Sequence, residues 1–277
     1  MRPVDPQRGG SLTITSLQNA RVKLIRSLEM RKARRDTGLF VAEGASVLVT
    51  ARDAGWAPKM LVYLSGSASS AIARELVAWA ESADAELLEV SQAVLGKIAA
   101  KENPQTMLGV FEQRCVQAPA RDLSQGGELW VALEAIRDPG NLGTIIRTAD
   151  AAGAAGVMLI GNSADPFSRE AVRATMGSIF NMPLARVTSQ EFQTLAAGWA
   201  GDIVGTALSA TEDFRARGYR RPTLLLMGSE GPGLSAELTA ACTRLVKIPM
   251  TGRLDSLNLA IATGLMLYEI AKDRLRL

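Results

Sequence analysis

The sequence contains no histidine and only two cysteines, and these absences exclude several kinds of chemistry. Without histidine, neither a Ser-His-Asp triad nor a Cys-His nucleophile can form. Cys115 and Cys242 are too few for a disulfide framework, and the usual zinc sites need clusters of Cys and His. No dense group of Asp and Glu suggests a magnesium site either, so we expect no metal. An enzyme with this composition must use arginine, carboxylates, amides, hydroxyls or a bound cofactor.

Long apolar segments are also missing from the sequence. No apolar run reaches the roughly 18 to 20 residues that are needed to cross a bilayer. The first six residues lack the apolar core of a signal peptide. We therefore expect a cytoplasmic protein that has no membrane partner. Aromatic residues make up only 5% of the chain, which argues against a sheet that stacks RNA bases.

The positive charge of the chain is concentrated near its beginning. The first 35 residues contain nine Lys or Arg against two acidic residues, whereas the whole chain has a net charge of only +3. Such a basic segment is typical of a surface that contacts a polyanion, although a solvated charged helix would show the same pattern. The candidate RNA contacts in this segment are Arg21, Lys23, Arg31, Lys32, Arg34 and Arg35.

The order of apolar segments predicts two α/β domains. Residues 1–11 are expected to be a flexible N-terminus, and residues 12–113 a small domain that begins with a helix from Ser16 to Arg35. Residues 114–127 have the Pro, Gly and polar content of a linker. Residues 128–277 form the second domain, in which strands and helices alternate, as is typical of a parallel sheet covered on both faces.

Approximate element bounds follow from the apolar pattern of the second domain. Strands are predicted at 129–135, 156–160, 202–207, 223–227 and 245–248, and helices at 141–152, 168–176, 190–199, 235–242 and 257–274.

The first candidate functional segment is Asp138-Pro-Gly-Asn141-Leu-Gly-Thr-Ile-Ile-Arg147-Thr-Ala-Asp150, which follows a buried strand. Pro139 favours a tight turn, and Asn141 is a natural N-cap for the next helix. The apolar residues of that helix form one core-facing stripe, so Arg147 is directed to a cleft or to solvent. Ligands of open α/β sheets bind at such strand ends. By itself the pattern also fits an ordinary strand-turn-helix unit.

Two further loops follow apolar strands. Gly228-Ser-Glu230-Gly-Pro-Gly contains three glycines, which let a backbone approach a ligand closely, and it places Glu230 among them. Its spacing is neither a dinucleotide fingerprint nor a Walker A loop. In the other loop, Ser256 and Asn258 lie at the N-terminus of a long helix, which would favour a carboxylate or phosphate there. The alternatives are a structural turn and simple N-capping. The predicted core stripe of the long helix is Leu257, Ile261, Leu265 and Tyr268.

A fourth segment, between Asp165 and Ser178, carries Arg169 and Arg173 four residues apart. Two guanidiniums on one helix face suit phosphate contact, and a solvated face is the alternative.

Together, the three loops resemble the signature motifs of the SpoU family, also called TrmH, of RNA ribose 2′-O-methyltransferases in the SPOUT superfamily. The third motif reads Ile248-Pro-Met-Thr-Gly-Arg-Leu-Asp-Ser256-Leu-Asn258 in this chain, and Arg253-Leu-Asp replaces small residues that are frequent there. The segment Val-Arg173-Ala-Thr-Met-Gly-Ser178 also fits. The match covers about residues 128 to 272, and the first domain more loosely resembles a ribosomal-protein-L30e-like domain.

The resemblance implies an α/β fold with a SPOUT-type parallel sheet and a trefoil knot at the C-terminus, preceded by the smaller L30e-like α/β domain. It implies a homodimer that assembles through the C-terminal domain. The implied cofactor is S-adenosylmethionine, bound at Gly228, Ile248 and Leu257, with Ala207 and Met250 nearby. The implied catalytic residues are Arg147, which would activate the hydroxyl, and Asn141, Glu230, Ser256 and Asn258.

The function implied is methylation of a ribose 2′-hydroxyl in ribosomal RNA, with transfer RNA as the less favoured substrate. Arginine stays protonated at ordinary pH, so Arg147 fits electrostatic activation of the hydroxyl better than a role as a base. The sequence also leaves two alternatives open. One is a non-catalytic factor that binds RNA or assists ribosome assembly, and the other is a SPOUT methyltransferase that acts on an RNA base.

Overall fold

The computed structural model describes residues 13–99, 104–119, 128–254 and 256–275, and it divides into two compact units. The first unit ends at Gln113 and also includes Phe167–Arg169, and the second comprises Arg114–Pro166 and the chain from Glu170 onward. Of the expected linker, residues 114–119 belong to the second unit, in which the Val116 N–H donates to the Leu184 carbonyl at 2.8 Å. Residues 1–11 and 120–127, for which a flexible N-terminus and the rest of the linker were expected, lie outside the described residues.

The first unit is a four-stranded sheet with helices, as the alternating pattern indicated. Its sheet has the order β1-β4-β2-β3, in which β4 runs antiparallel to both of its neighbours and β2 runs parallel to β3. The strands are β1 Leu39–Glu43, β2 Met60–Leu64, β3 Glu86–Val90 and β4 Met107–Glu112. The helices are α1 Ala20–Ser27, α2 Arg31–Thr37, α3 Ala45–Asp53, α4 Ala71–Ser82 and α5 Gln92–Ala99.

The single helix predicted from Ser16 to Arg35 is wrong, because the chain forms α1 and α2 with a break between them. Asn19 is the N-cap of α1, since its side chain accepts the Arg21 and Val22 N–H groups. At the break, the Arg34 guanidinium donates to the carbonyl oxygens of Leu28 and Glu29, both at 2.8 Å. A side chain therefore satisfies carbonyl groups that a continuous helix would have used internally.

The short segment that the first unit takes from the later part of the chain brings a charged residue into its interior. The Arg169 side chain is only 4% exposed and forms ion pairs with Glu43 at 2.9 Å and Glu29 at 3.0 Å. Its Nη1 also donates to the Ile98 carbonyl at 2.7 Å. Arg169 is therefore a buried structural residue, and the phosphate contact suggested for it is wrong.

The second unit has a seven-stranded sheet of order β7-β6-β5-β10-β8-β11-β9, in which all neighbouring strands are parallel. Its strands are β5 Leu129–Glu134, β6 Gly156–Ile160, β7 Leu184–Val187, β8 Ile203–Thr206, β9 Glu212–Asp213, β10 Thr223–Met227 and β11 Arg244–Lys247. Its helices are α6 Pro139–Ala151, α7 Arg169–Thr175, α8 Ser189–Ala196, α9 Ala236–Ala241 and α10 Leu259–Ala271, and only the first residue of α7 is counted with the first unit.

The predicted α/β class and parallel sheet are confirmed, but β7 and β9 were missed. Both lie at the edges of the sheet. β9 has only two residues, both acidic, and Arg186 interrupts the apolar residues of β7, so neither strand shows a continuous apolar run.

The strand order determines where a ligand can bind in the second unit. From β5 the chain adds β6 and β7 on one side, and it later adds β8 and β10 on the other side. The order therefore reverses between β5 and β10, and open α/β sheets bind ligands at such a switch point, beyond the carboxyl ends of the strands. The loops after β5, β8, β10 and β11 all begin at this edge.

No helix within the described ranges has both the length and the apolar character that a membrane crossing requires.

Candidate active site

The loop after β5 enters α6 through a side-chain cap. Asp138 is the N-cap, since its carboxylate accepts the Asn141 N–H at 2.6 Å, and Pro139 occupies the first helical position. The expectation that Asn141 is the N-cap is therefore wrong. Proline fits this first position because its missing N–H would have no helical partner there. The side chain of Asn141 is left available for other contacts.

The loop after β10 folds tightly on itself. A Cβ atom on Gly228 would lie 2.1 Å from the backbone carbon of Gly233, so only glycine fits at this position. Ser229 and Gly233 form an isolated antiparallel bridge, and Gly233 has a φ of 73°, which favours glycine. This geometry turns Glu230 toward the loop that follows β5.

The loop after β11 ends at Asn258, which is the N-cap of α10. Its Oδ1 accepts the N–H groups of Ala260 at 2.9 Å and Ile261 at 3.3 Å. The core stripe predicted for this helix is wrong, because its residues are between 38% and 56% exposed. The buried face of the helix is instead made of Ala260, Thr263, Met266, Leu267, Ile270 and Ala271.

A chain of hydrogen bonds joins these three loops. The Asn141 amide donates to the Glu230 carboxylate at 3.1 Å, and the Asn258 amide donates to Asn141 Oδ1 at 3.0 Å. The other carboxylate oxygen of Glu230 accepts the Arg137 N–H at 3.2 Å. These contacts fix the orientation of both amides, because each amide oxygen and nitrogen has an assigned role.

The Glu230 carboxyl is charged at neutral pH. Partial burial raises its pKa, but hydrogen bonds from Asn141 and from nearby backbone N–H groups outweigh that effect. The net result is a pKa below the ordinary value of 4.5. The site therefore keeps a fixed negative charge at the end of the hydrogen-bond chain.

These loops and the one after β8 surround a cavity of about 860 Å³. Its lining contains all five residues expected at the donor site, Ala207, Gly228, Ile248, Met250 and Leu257. It also contains four of the five residues expected to be catalytic, Asn141, Glu230, Ser256 and Asn258. Sequence reasoning missed several polar residues that share the lining, including Thr206, Ser209, Thr239 and Lys247. The only signal for Thr206, Ser209 and Lys247 was a position at or shortly after the end of a strand, and Thr239, inside α9, gave no such signal.

Among the described residues, Arg147 is exposed and is not part of the cavity lining. It lies six residues after Asn141 on α6, which corresponds to about 9 Å along the helix axis and about 120° around it. Asn141 and Arg147 therefore point to different sides of the helix. The structure brings the amides and Glu230 together but leaves the guanidinium on a neighbouring surface.

The residues predicted to contact RNA differ in their exposure and in the unit to which they belong. Arg21, Lys23, Arg31, Lys32 and Arg35 are exposed on α1 and α2 of the first unit, and Arg21 is paired with Glu86 at 2.8 Å. Arg34 is only 4% exposed and is bonded to backbone carbonyls, so its prediction as an RNA contact is wrong. Arg173 is partly buried and belongs to the second unit.

Within the described residues there is no group of three or more His, Cys, Asp or Glu side chains that could hold a metal ion.

Comparison with known proteins identifies the family of the chain. Residues 128–268 match the SpoU rRNA Methylase family, and residues 19–109 match the MRM3-like substrate binding domain. An uncharacterized tRNA/rRNA methyltransferase of Synechocystis is 34% identical over 95% of this chain and 94% of its own length. A 23S rRNA (uridine(2479)-2′-O)-methyltransferase of Streptomyces viridochromogenes is 34% identical over 88% of this chain and 86% of its own length.

Solved structures show the same relationship. The crystal structure of an AdoMet-bound rRNA methyltransferase from Sinorhizobium meliloti has a TM-score of 0.87 and 46% identity, and covers 96% of this chain and 99% of that one. The SpoU methyltransferase AviRb from Streptomyces viridochromogenes, in complex with AdoMet, has a TM-score of 0.79 and 33% identity, and covers 93% and 98% of the two chains. The residues of the three loops, the parallel sheet and these similarities lead to one conclusion: the chain belongs to the SpoU rRNA methylase family.

Proposed function

We propose that this protein transfers a methyl group from S-adenosylmethionine to a ribose 2′-hydroxyl of ribosomal RNA. The observation that carries the proposal is the hydrogen-bond chain from Glu230 through Asn141 to Asn258, which opens onto a cavity lined by all the expected donor residues. Two similar proteins, the 23S rRNA methyltransferase of Streptomyces viridochromogenes and the AdoMet-bound structure from Sinorhizobium meliloti, support the substrate class and the cofactor.

The cavity fits a donor of this size and chemistry. Ligand pockets have volumes of about 300 to 1,000 Å³, and this cavity has about 860 Å³. Gly228 lets the loop fold closely on itself along one wall of the cavity, and Ile248, Met250 and Leu257 supply apolar surface beside it. When bound, S-adenosylmethionine supplies an electrophilic methyl group. The residues of the chain then have to position the hydroxyl and stabilise the charge that develops on its oxygen.

Arg147 and the amide network divide that work in our proposal. The guanidinium of Arg147 stays protonated, so it stabilises the developing alkoxide instead of removing the proton. Glu230 holds the Asn141 and Asn258 amides in one orientation, and these amides together with Ser256 position the sugar next to the cavity. Holding reacting groups in place in this way removes much of the entropic part of the barrier.

The first unit is the proposed RNA-binding unit, with an L30e-like fold. Five of the predicted cationic contacts are exposed on α1 and α2, namely Arg21, Lys23, Arg31, Lys32 and Arg35. Cations of this kind contact phosphates and fix the register of the RNA without reading its sequence. We keep Arg173 as a further contact on the second unit and remove Arg34, because its guanidinium is buried. Since the proposed substrate is ribosomal RNA, the cytoplasm remains the expected compartment.

The exposed stripe of α10 supports a homodimer. Ile261, Leu265 and Tyr268 are between 42% and 56% exposed although they are large and apolar. Contiguous apolar surfaces of this kind mark protein interfaces, and an isologous dimer would bury the stripe against its own copy. Arg147 lies on the helix that packs against α10, so the dimer would bring the guanidinium near the interface.

We also propose the trefoil knot. β11 lies beyond β8 in the sheet, whereas α10, which follows β11, packs on α6 and β10. The chain therefore returns across the carboxyl edge of the sheet, past the loops that follow β8 and β10. Threading of the chain through those loops is the arrangement that a knot of this type requires.

The donor and the catalytic group can be tested separately. We expect the purified protein to bind S-adenosylmethionine in isothermal titration calorimetry, and Arg147→Ala to retain that binding. In a labelling assay with ribosomal RNA, Arg147→Ala should lower turnover by a factor of about 10² to 10³, as loss of one group that stabilises transition-state charge does. Normal turnover by Arg147→Ala would remove this residue from the mechanism.

The same experiments separate the alternatives. Absence of donor binding by the wild-type protein would favour a non-catalytic RNA-binding or assembly factor. Digestion of the labelled RNA to nucleosides shows whether the label is on ribose or on a base. Label on a base would replace ribose methylation by base methylation as the function of the same site.

A further inference from the structure

Two carboxylates connect the loops after β5 and β10 in the second unit by hydrogen bonds that run in opposite directions. Glu134, the last residue of β5, accepts the Ser235 N–H at 2.8 Å. In the opposite direction, Glu230 in the loop after β10 accepts the Arg137 N–H at 3.2 Å. Glu134 thus lies at the start of the loop after β5 and accepts a backbone N–H from the end of the loop after β10, whereas Glu230 lies in the loop after β10 and accepts a backbone N–H from the loop after β5.

These two hydrogen bonds hold opposite ends of the loop after β10. Glu230 is near its beginning, and Ser235 is at its end, where it is the N-cap of α9. The N–H groups at a helix start have no acceptor within the helix, so a carboxylate that accepts one of them satisfies a backbone group and forms a charge-assisted hydrogen bond. Between these points the loop contains Gly231 and Gly233 with φ values of 98° and 73°.

This loop forms one wall of the cavity, since every residue from Gly228 to Leu234 belongs to the lining. Glycines lose more conformational freedom on ordering than other residues, so the wall is costly to hold in one conformation. External hydrogen bonds to the ends of the loop reduce the number of conformations that remain open to it. Glu134 makes such a bond and, among the described residues, is not part of the cavity lining itself.

We propose that Glu134 is a positioning residue for the donor: its carboxylate holds the end of the glycine-rich loop at Ser235 and so keeps the donor cavity in its binding shape. This inference rests on the proposed function, because it assigns Glu134 a role at the proposed donor site. In our proposal the exposed cationic residues supply most of the affinity for RNA, and the amides at the site position only the target sugar. Loss of Glu134 therefore affects the donor and leaves the affinity for RNA unchanged.

The test compares Glu134→Ala with Glu134→Gln. Glutamine keeps an oxygen that can accept the Ser235 N–H, whereas alanine has none. We expect Glu134→Ala to raise the dissociation constant and the KM for S-adenosylmethionine about tenfold, in line with loss of one hydrogen bond to a charged group. The KM for RNA should stay within about twofold of the wild-type value. Glu134→Gln should restore donor binding to within about threefold of the wild type.

Glu237→Ala is the matched control. Glu237 is an exposed carboxylate on α9 that accepts a hydrogen bond from the Gln193 side chain at 3.2 Å, outside the cavity. We expect this variant to bind the donor like the wild type. Melting temperatures of all three variants, measured without donor, separate a general loss of stability from an effect on the cavity.

Three outcomes would overturn the inference while the proposed function stands. The first is wild-type donor affinity in Glu134→Ala, with or without a lower melting temperature. The second is an equal rise in the KM values for donor and RNA. The third is a Glu134→Gln variant that binds the donor as weakly as Glu134→Ala does, which would show that loss of the hydrogen bond to Ser235 does not cause the weaker donor binding. Failure of the wild-type protein itself to bind donor would instead contradict the proposed function.

Discussion

Two helices, α6 and α10, begin at the site with similar caps but differ in whether their predicted apolar stripe is buried. Each is 13 residues long, and each begins with a side-chain cap, from Asp138 and Asn258 respectively. The apolar stripe of α6 is fully buried, as its spacing predicted. The stripe predicted for α10 is exposed, and a different face of that helix packs on the sheet.

The difference teaches what an apolar stripe can establish. On α6 the opposite face is polar, so only one orientation buries apolar surface. On α10 apolar residues occur on nearly all sides, and its buried face is made of smaller residues together with Met266, Leu267 and Ile270. Such a helix can bury one face inside its own unit and keep a second face for another molecule. Periodicity alone does not show which face is buried inside the unit and which face remains exposed for another molecule.

The largest expected effect concerns the core face of α6. Ile145→Ala should lower the free energy of unfolding by about 3 kcal/mol, because it leaves a cavity in a packed core. Ile261→Ala on α10 should cost less, and its cost should depend on protein concentration, since stability that comes from a dimer is linked to mass action. Urea denaturation at two protein concentrations measures both. If Ile261→Ala lowered the free energy of unfolding as much as Ile145→Ala at both protein concentrations, the two faces would both be core faces of the monomer.

The next effect concerns the exposed face of α10 directly. Ile261→Asp would place a charge in the proposed dimer interface, where a desolvated and unpaired carboxylate is unfavourable. We expect the dimer dissociation constant to rise about 100-fold, which is about 2.8 kcal/mol. Analytical ultracentrifugation measures it, with Gln190→Asp on the exposed side of α8 as the control. A wild-type protein that is monomeric at micromolar concentration would contradict the dimer and leave the stripe unexplained.

The smallest effect concerns the link between the starts of the two helices. The pKa of Glu230 is lowered in the folded protein, mainly because hydrogen bonds from Asn141 and backbone N–H groups outweigh the effect of burial. The folded state therefore binds its proton less readily than the unfolded state. The stabilisation is fully present above the ordinary pKa of 4.5 and is lost as the pH falls through the lower folded-state value.

The comparison of wild type with Glu230→Gln over a range of pH tests this link. We expect a small stability difference, constant above about pH 5.5, that shrinks toward zero as the pH falls below 4.5. Thermal unfolding between pH 3.5 and 7 in steps of about half a unit provides the measurement. A difference that grows on acidification would have the wrong sign and would mean that the folded state favours the protonated carboxyl.

Much of the site was predictable because each motif is a short segment with its own chemistry. The three glycines near Glu230 and the Ser-Leu-Asn before α10 are recognisable without neighbours, and all the residues that the resemblance implied for the donor line one cavity. The predictions that failed concern residues whose role depends on distant groups. Arg34 was one cation of a basic run, but its guanidinium is buried because it donates hydrogen bonds to two carbonyl oxygens at the break between α1 and α2.

By itself, the sequence determined the α/β class, the parallel sheet and the loops that carry the chemistry, because these follow from apolar periodicity and turn residues within short segments. Only the tertiary structure decided which loops meet. Asn141 is 89 residues from Glu230 and 117 from Asn258, and their hydrogen bonds exist because the sheet order brings the ends of distant strands to one edge. It also decided which face of α10 is buried, since that choice depends on what packs against the helix.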